Sequence, residues 1–362
     1  MSFYIVLIII TIFSCENIEE APTTSDPETL INIHDFDDRI LSDLRIETKT
    51  ILSNDSISVT SIASSKYHIG FPDLIEHDSN WYVCFRYSDG HLPVNFGDIV
   101  VLKSIDQANW IPDKYFSQLD YDLRDPKFTL NNSKNELFLQ FHSTTIEPYG
   151  TNRNDYVTNY SETENQWEKP VKIIKDFSNT IWLWRPVWEK NNAYVVGYFT
   201  GDLLKLFKST NGYSYQEMVN FDLKNQPTET TLRFNKDKAY IIIRVITGPS
   251  LLGKSQASSL LKWDFEPLPW PNLGGPNFVI YKNYLIIAGR VNGLTQIFTY
   301  NLKTKITNEL VSVPSYGDTG YTGLYLSNDT LNMVYYTSSP TEGYKLNLAK
   351  FYLNKYRFSQ VG

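Results

Sequence analysis

Two series of polar residues recur along this chain at places where the core of a β-fold would take apolar side chains. One series lies four or five residues into an apolar run and consists of Arg86, His142, Tyr198, Arg244, Arg290 and Tyr336. The other opens the preceding run and consists of Asp73, Arg124, Asp125, Arg185, Glu229, Asn277 and Tyr321. Arginine binds carboxylates through paired, charge-assisted hydrogen bonds, so these residue types suit an anion- or sugar-binding pocket. The alternative is that they pair with one another and seal a channel as structural ion pairs.

Six pairs of apolar runs would position these residues. In each pair a first strand leads through a turn rich in Asn, Asp or Lys into a second strand. The second strands begin at Trp81, Leu137, Tyr194, Tyr240, Leu285 and Leu331, so successive starts are 45 to 57 residues apart. Propeller blades recur every 40 to 50 residues or so. We therefore predict an all-β, six-bladed β-propeller over residues 46–362, with both series converging on one mouth of its central channel.

Composition narrows the function further. Aromatic residues make up 15% of the 362 residues, which favours strands and carbohydrate-binding surfaces. The net charge of −7 and the lack of a basic cluster argue against nucleic-acid binding. The two cysteines imply no disulfide framework, and the five histidines show no metal-ligand spacing. We expect a monomer without a cofactor or metal.

The N-terminus resembles a bacterial lipoprotein signal. An apolar run from Phe3 to Phe13, too short to span a bilayer, is followed by Ser14 and Cys15. We predict a signal peptide over residues 1–14, lipidation of Cys15, and a disordered tether over 15–45 that holds the domain at the bacterial cell envelope, on the periplasmic or the cell-surface side. The alternative is an ordinary cleaved signal peptide with an incidental cysteine.

Several segments resemble the sialidase (neuraminidase) superfamily. Glu229 precedes Arg244 by 15 residues, Arg290 closes the next repeat, and the segment 320–324 resembles the one that carries the family's tyrosine nucleophile. The segment 86–89 resembles the one that carries an arginine and, shortly after it, the acid aspartate. Over roughly residues 65–355, the chain is most similar to bacterial exo-α-sialidase-like or BNR-repeat-like propeller proteins.

The resemblance implies roles for these residues. Tyr321 would be the nucleophile, Glu229 would take its proton, and Asp89 would be the acid and base. Arg244 and Arg290 would bind the substrate carboxylate, and the remaining predicted binding residues are Arg86, Arg124, Asp125 and His91.

Two features depart from the family pattern. Gly70 stands where the first carboxylate-binding arginine is expected, so Arg86 or Arg124 would have to replace it. The family's Asp-box turns are degenerate at 104–110 and at 208–212. We expect a glycoside hydrolase that acts on terminal, acidic sugars of extracellular glycans, with His91 as an alternative general acid. A non-catalytic glycan-binding propeller and a partner-docking propeller are the alternatives.

Overall fold

The computed structural model describes residues 30–36, 38–148, 150–175, 180–356 and 358. The predicted signal peptide and the predicted lipidation site at Cys15 lie outside the described residues. Among the described residues, no helix is long and apolar enough to cross a membrane. The predicted all-β class is confirmed, because helix is confined to α1 (Asp38–Leu41) and a 3₁₀ turn at Leu353–Lys355 in the described chain.

The strands alternate with short turns along the chain. The first ten are β1 Asn32–His34, β2 Lys49–Ser53, β3 Ile57–Ser65, β4 His68–His77, β5 Asn80–Ser88, β6 Gly97–Ser104, β7 Ile111–Ser117, β8 Tyr121–Asn131, β9 Glu136–Thr145 and β10 Arg153–Ser161. The next ten are β11 Gln166–Trp167, β12 Val171–Lys172, β13 Ile174–Lys175, β14 Trp182–Leu183, β15 Val187–Glu189, β16 Asn192–Tyr198, β17 Leu204–Ser209, β18 Ser214–Phe221, β19 Pro227–Asn235 and β20 Lys238–Val245. The last nine are β21 Pro249–Gln256, β22 Asp264–Pro271, β23 Gly274–Tyr281, β24 Tyr284–Val291, β25 Leu294–Asn301, β26 Thr307–Ser312, β27 Gly320–Ser327, β28 Thr330–Ser339 and β29 Gly343–Tyr352.

These strands form five sheets, each built mainly from antiparallel neighbours. The first sheet holds β1 and β4–β12, and its two halves, β4–β7 and β8–β12, are joined by a single parallel pair between Gly97 and Asp122. The others are β13–β18, β19–β22, β23–β26, and a sheet in which β2 and β3 complete β27–β29. Because an early strand pairs with the last one, the two ends of the described chain close on each other.

A β-bulge interrupts the first strand of most repeats at the same place. The register shifts between Gly70 and Asp73, and the equivalent shift occurs in β8, β19, β23 and β27. Four bulges hold a residue with a left-handed φ, namely Phe71 (56°), Asp125 (50°), Gly275 (55°) and Tyr321 (50°). A bulge re-aims the side chain that it carries. The bulges therefore carry Phe71, Asp125 and Tyr321 at equivalent positions of three different repeats, two of them in the first sheet and one in the sheet that holds β27.

Part of the predicted tether is packed structure. Strand β1 pairs with β7 from Asn32 to His34, and Ile31, Ile40 and Leu44 are buried. These apolar residues are spread among acidic ones in the sequence, which is why composition alone assigned them to a tether. Within residues 15–45, the described part from residue 30 onward lies against the sheets.

The two degenerate Asp-box segments fold into the same kind of turn. Asp106 Oδ1 accepts hydrogen bonds from the backbone of Ala108 and Asn109, both at 2.8 Å. In the second segment Asn211 Oδ1 accepts from the backbone of Tyr213 and Ser214. The turn survives because any short side chain with an acceptor oxygen can cap it.

Candidate active site

Tyr321, Glu229 and Arg244 form a compact triad. The Tyr321 hydroxyl donates a hydrogen bond to Glu229 Oε1 at 2.8 Å, and Arg244 Nη1 lies 2.8 Å from both Glu229 oxygens and 3.0 Å from the Tyr321 hydroxyl. The backbone N–H of Gly275 donates to Glu229 Oε2 at 2.9 Å, and Asn272 accepts from Arg244 Nε. The bulges in β19, β23 and β27 thus converge on one carboxylate.

Tyr321 rests as a neutral phenol. Burial raises the pKa of its hydroxyl far above the ordinary range, and the negative charge of Glu229 raises it further, although Arg244 and Arg290 act in the opposite direction. The hydroxyl can therefore become a nucleophile only if a base removes its proton as it attacks. Glu229, which already accepts that hydrogen bond, is in place to do so.

A second cluster centres on the Asp318 carboxylate. His91 Nδ1 and His68 Nε2 lie 2.7 and 3.1 Å from Oδ2, while Tyr336 donates to Oδ1 at 2.8 Å and Arg290 Nη1 at 3.2 Å. Burial alone would raise the pKa of Asp318, but the hydrogen bonds from the two histidines outweigh it and hold the pKa below the usual range. Asp318 is therefore a permanent negative charge beside Arg290.

The two clusters touch. The Arg290 guanidinium lies 5.3 Å from the centre of the Tyr321 ring, and the Phe71 ring packs edge-on against Tyr321 at 5.0 Å and against His91 at 5.6 Å. Arg124 and Arg86 approach the same Phe71 ring at 5.1 and 5.9 Å. Four of the predicted site residues, Tyr321, His91, Arg124 and Arg86, thus surround Phe71, a residue that the sequence did not single out.

The space over Gly70 is taken by a histidine. A Cβ atom built on Gly70 would lie 2.3 Å from His68 Cε1. His68 in turn lies 3.2 Å from Arg86 Nη1, and Arg86 Nε donates to the buried Asp122 at 2.7 Å. Burial, helped by the charge of Arg86, lowers the pKa of His68 to about 4, so the ring is neutral at pH 7. Arg86 is committed to Asp122 and His68.

Asp125 and Arg124 lie on the other flank of the mouth. Asp125 is buried, its Oδ1 has no hydrogen-bond partner among the residues that the structure describes, and burial raises the pKa of the carboxyl. Arg124 Nη1 lies 3.4 Å from Asp122 Oδ2, the carboxylate that also holds Arg86. Both predicted binding residues therefore border the site, and Asp125 adds a buried carboxyl with a raised pKa.

Asp89, the acid implied by the resemblance, is engaged within its own loop. It accepts hydrogen bonds from the backbone N–H groups of Val94 and Asn95 at 3.0 and 2.9 Å and from the Asn95 side chain at 2.7 Å. These contacts fix the loop that carries His91. The structure places His91, rather than Asp89, against the Asp318 cluster.

The two polar series do not all converge on one mouth, which corrects the prediction. Arg185 Nη1 binds both Asp73 oxygens at 2.7 and 2.8 Å, and Arg185 and Asn277 both donate to the backbone oxygen of Thr322. Arg233 also donates to Asn277. This axial network borders a cavity of about 170 Å³ whose lining includes Asp73, Arg185 and Arg233 but none of the triad residues. For this subset, the structural ion-pair alternative holds.

His142 also lies outside the two clusters formed around Glu229 and Asp318. Its Nδ1 lies 2.9 Å from the buried Asp155, which is also paired with Lys175, and its ring stacks on Trp182 at 3.8 Å. Asp318 and His68, in contrast, are central residues to which the sequence analysis gave no role. The only signal for Asp318 is its place three residues before Tyr321, in a turn rich in glycine.

Solved structures resemble this chain in fold, but no protein family matches its sequence. No family model matches the chain, and no curated protein matches it. Three solved sialidase structures have similar folds. They are NanB sialidase from Streptococcus pneumoniae as the K499G mutant (TM-score 0.63, 11% identity, covering 84% of this chain and 71% of that one), Trypanosoma rangeli sialidase in complex with the inhibitor DANA (TM-score 0.60, 12% identity, covering 84% and 58%), and Hadza microbial sialidase Hz136 (TM-score 0.59, 11% identity, covering 79% and 66%).

The chain thus spans 58% and 66% of the length of the latter two proteins. The arrangement of its sheets is consistent with a propeller of that kind. The chain has a fold like that of these sialidases.

Proposed function

We propose that this protein is a retaining glycoside hydrolase that uses Tyr321 as its nucleophile and acts on a terminal, acidic sugar of extracellular glycans. The observation that carries the proposal is the 2.8 Å hydrogen bond from the Tyr321 hydroxyl to Glu229, with Arg244 Nη1 within 3.0 Å of both partners. A tyrosine–carboxylate pair alone can be structural. Here the pair shares an arginine and borders a mouth that also holds Arg290 and His91.

The reaction would begin with attack of the Tyr321 oxygen on the anomeric carbon while Glu229 takes the phenol proton. Arg244, which contacts both partners, would stabilise the negative charge as it shifts from Glu229 toward the Tyr321 oxygen. Tyrosine is the nucleophile in sialidases, in place of the second carboxylate that most retaining glycosidases use. Water would then release the sugar from Tyr321.

Arg290 is the best candidate for binding a substrate carboxylate. Its side chain is 26% exposed, against 15% for Arg244, and its Nη1 is held by Asp318 so that the guanidinium is fixed in orientation. The first arginine expected from the resemblance is absent, since Gly70 stands at its position and His68 fills the space over that glycine. An acidic sugar that needs fewer than three arginines, such as a uronide, is therefore as good a candidate as a sialoside.

Two further parts of the proposal concern the whole chain. We read the five sheets as six blades, with the first sheet supplying two, because its halves meet only through the parallel pair between Gly97 and Asp122. We also propose that Cys15 carries the lipid and that the protein is held at the bacterial cell envelope, an inference that rests on the sequence alone.

The test is hydrolysis of a panel of chromogenic glycosides, including a sialoside and several uronides, by the full chain and by Tyr321→Phe. A matched control is Tyr281→Phe, which removes another tyrosine that donates to a carboxylate, here Asp329 at 2.6 Å. We expect turnover on at least one substrate, abolished by Tyr321→Phe and retained by Tyr281→Phe. Equal activity in the two variants would contradict the proposal.

The second candidate is a non-catalytic glycan-binding protein. The observation that favours it is the pair formed by His68 and Gly70, which removes one carboxylate-binding position from the mouth. It predicts no turnover on the panel and saturable sugar binding that survives Tyr321→Phe, measured by calorimetry.

A further inference from the structure

His91 sits at the rim of the candidate active site, with its side chain 49% exposed. Its Nδ1 lies 2.7 Å from Asp318 Oδ2. Because an ionised carboxylate can only accept, Nδ1 must carry the proton of this hydrogen bond. The other ring nitrogen, Nε2, is then on the far side of the ring from Asp318 and can exchange a proton with a bound molecule.

The second histidine of the cluster fixes the charge state of Asp318. Arginine has only donors, so Arg86 Nη1, 3.2 Å from His68 Nδ1, makes that nitrogen an acceptor. The proton of the neutral His68 ring must then be on Nε2, which donates to Asp318 Oδ2 at 3.1 Å. With Tyr336 and Arg290 donating to Oδ1, Asp318 stays ionised and holds His91 in a single tautomer.

The loop that carries His91 is held on both sides. The backbone oxygen of Gly90 accepts from Arg86 Nη1 at 3.1 Å and from Ser88 Oγ at 2.8 Å, and Asp89 binds the backbone at Val94 and Asn95. A catalytic group that must meet a substrate needs this kind of fixed support. Asp89 is a positioning residue for His91 in this arrangement.

His91 also faces the nucleophile across a shared neighbour. Its ring contacts Phe71 edge-on at 5.6 Å, and Phe71 contacts Tyr321 at 5.0 Å, while Arg290 links Asp318 to the Tyr321 ring. Building on the function proposed above, we infer that His91 Nε2 is the general acid and base of the glycosidase reaction, with Asp318 as its positioning residue.

The reaction has two steps. The first step starts with the His91 ring protonated on both nitrogens. The Tyr321 oxygen bonds to the anomeric carbon, its proton passes to Glu229, the glycosidic C–O bond breaks, and the leaving oxygen takes the proton from His91 Nε2, which leaves His91 neutral with its remaining proton on Nδ1. In the second, His91 Nε2 takes a proton from water as the water oxygen bonds to the anomeric carbon. The bond to the Tyr321 oxygen then breaks and that oxygen recovers its proton from Glu229. One water is consumed per sugar released.

A metal site is the competing interpretation of the same residues. His68, His91 and Asp318 each offer a ligand atom within 4.8 Å of the others, and two imidazoles with one carboxylate can bind a divalent cation. A metal would need the lone pair of His68 Nε2, whereas the Arg86 contact places a proton there. The protonation pattern therefore favours proton transfer.

The test compares two leaving groups in the full chain and in His91→Ala. A nitrophenyl glycoside needs little protonation as it departs, whereas an alkyl glycoside of the same sugar needs it fully. We expect His91→Ala to lower kcat/KM, which reports the first step alone, about 10²- to 10⁴-fold on the alkyl glycoside and less than about 10-fold on the nitrophenyl glycoside. The control is His34→Ala, which removes a histidine bonded to Ser117 and should change neither rate.

A pH profile tests the positioning role of Asp318. The groups that face His91 are the ionised Asp318, the neutral His68 ring and, through Asp318, the Arg290 guanidinium. In Asp318→Asn, the negative charge that stabilises the protonated imidazole is lost, so the alkaline limb of kcat/KM should move to lower pH. A merely structural role for Asp318 would lower activity without moving that limb.

Several results would overturn the inference. An equal loss on both glycosides in His91→Ala would mean that His91 only supports the site. A leaving-group effect in Asp89→Asn that is absent from His91→Ala would transfer the role to Asp89. Turnover that requires added Zn²⁺ and disappears with a chelator would establish the metal interpretation. A parent chain that hydrolyses neither glycoside, nor any on the wider panel, would refute the proposed function itself, and the role of His91 with it.

Discussion

Two arginine–carboxylate pairs in this protein have almost identical N–O distances but differ in their further partners and in their exposure. At the axis, Arg185 meets both oxygens of Asp73 at 2.7 and 2.8 Å, and at the mouth Arg244 meets both oxygens of Glu229 at 2.8 Å. The further partners of the axial pair are backbone groups, the N–H of Phe128 and the carbonyl of Thr322. The mouth pair also has a backbone partner, the N–H of Gly275, but in addition it binds a tyrosine hydroxyl and remains partly exposed.

Residue type and N–O distance therefore do not distinguish a structural ion pair from one that can take part in a reaction. A buried pair whose further partners are all backbone groups has no accessible hydrogen-bonding atom for a ligand. Its role is to fix the packing of several sheets. A pair that shares a titratable hydroxyl at an opening can change its protonation during a reaction. Replacing residues in each region should therefore affect different measurements.

The largest expected effect is on catalysis at the mouth. Glu229→Gln removes the carboxylate that we propose accepts the Tyr321 proton, so kcat on the best substrate should fall about 10³-fold or more. The matched control is Glu217→Gln, which removes an exposed carboxylate paired with Lys205 and should leave kcat unchanged. Steady-state kinetics measures both values of kcat. A Glu229→Gln variant with the parental kcat would contradict a catalytic role for the mouth pair.

The next effect is on stability at the axis. Asp73→Ala leaves Arg185 buried without its carboxylate and the Phe128 N–H without its acceptor, so the free energy of unfolding should fall by about 3–5 kcal/mol. Urea unfolding monitored by fluorescence measures it. A loss below about 1 kcal/mol would mean that the axial network does not stabilise the fold.

The pH dependence of stability should reveal His68, which belongs to the mouth yet is buried. Its pKa is lowered to about 4 from the ordinary 6.5, mainly by burial. Between these values the unfolded chain binds a proton that the folded protein does not, so this residue removes stability as the pH falls through that window. The difference corresponds to about 3 kcal/mol.

In His68→Gln, the loss of unfolding free energy between pH 7 and pH 4 should be smaller than in the parent by about that amount. Urea unfolding at the two pH values gives the difference. Identical losses in the variant and the parent would show that His68 is protonated in the folded state.

The smallest effect compares two glycines. A Cβ on Gly323 would lie 2.6 Å from the backbone of Asp73 and Leu74, whereas one on Gly274 would meet only the flexible side chain of Arg290, at 3.3 Å. Gly323→Ala should therefore cost about 1–3 kcal/mol of stability. Gly274→Ala should cost less, and equal costs by thermal unfolding would contradict the difference in packing.

Much of the fold could be predicted from the sequence, because alternating apolar strands at regular intervals leave few alternatives to an all-β repeat. The approach of Glu229, Arg244, Arg290 and Tyr321 to one another could also be predicted, since equivalent positions of a repeat face the same way. The roles of these residues remain predictions.

Which polar residues lie at the axis and which at the mouth could not be predicted, because their placement depends on the β-bulge in each first strand. Asp73 and Tyr321 both open a first strand, but Tyr321 is the bulged residue and Asp73 lies two residues beyond the bulged Phe71. His68 and Asp318 are 250 residues apart, and only folding shows that they share a hydrogen bond.

The most direct test of the central claim is to look for the covalent intermediate. A fluorinated substrate analogue, chosen as the 2-deoxy-2-fluoro or the 2,3-difluoro form of whichever sugar the panel identifies, slows the second step so that the sugar accumulates on the nucleophile. Intact-mass analysis followed by peptide mapping should find one sugar per chain, attached to Tyr321 and absent from Tyr321→Phe. A turning-over enzyme that shows no adduct, or one attached to another residue, would contradict the account.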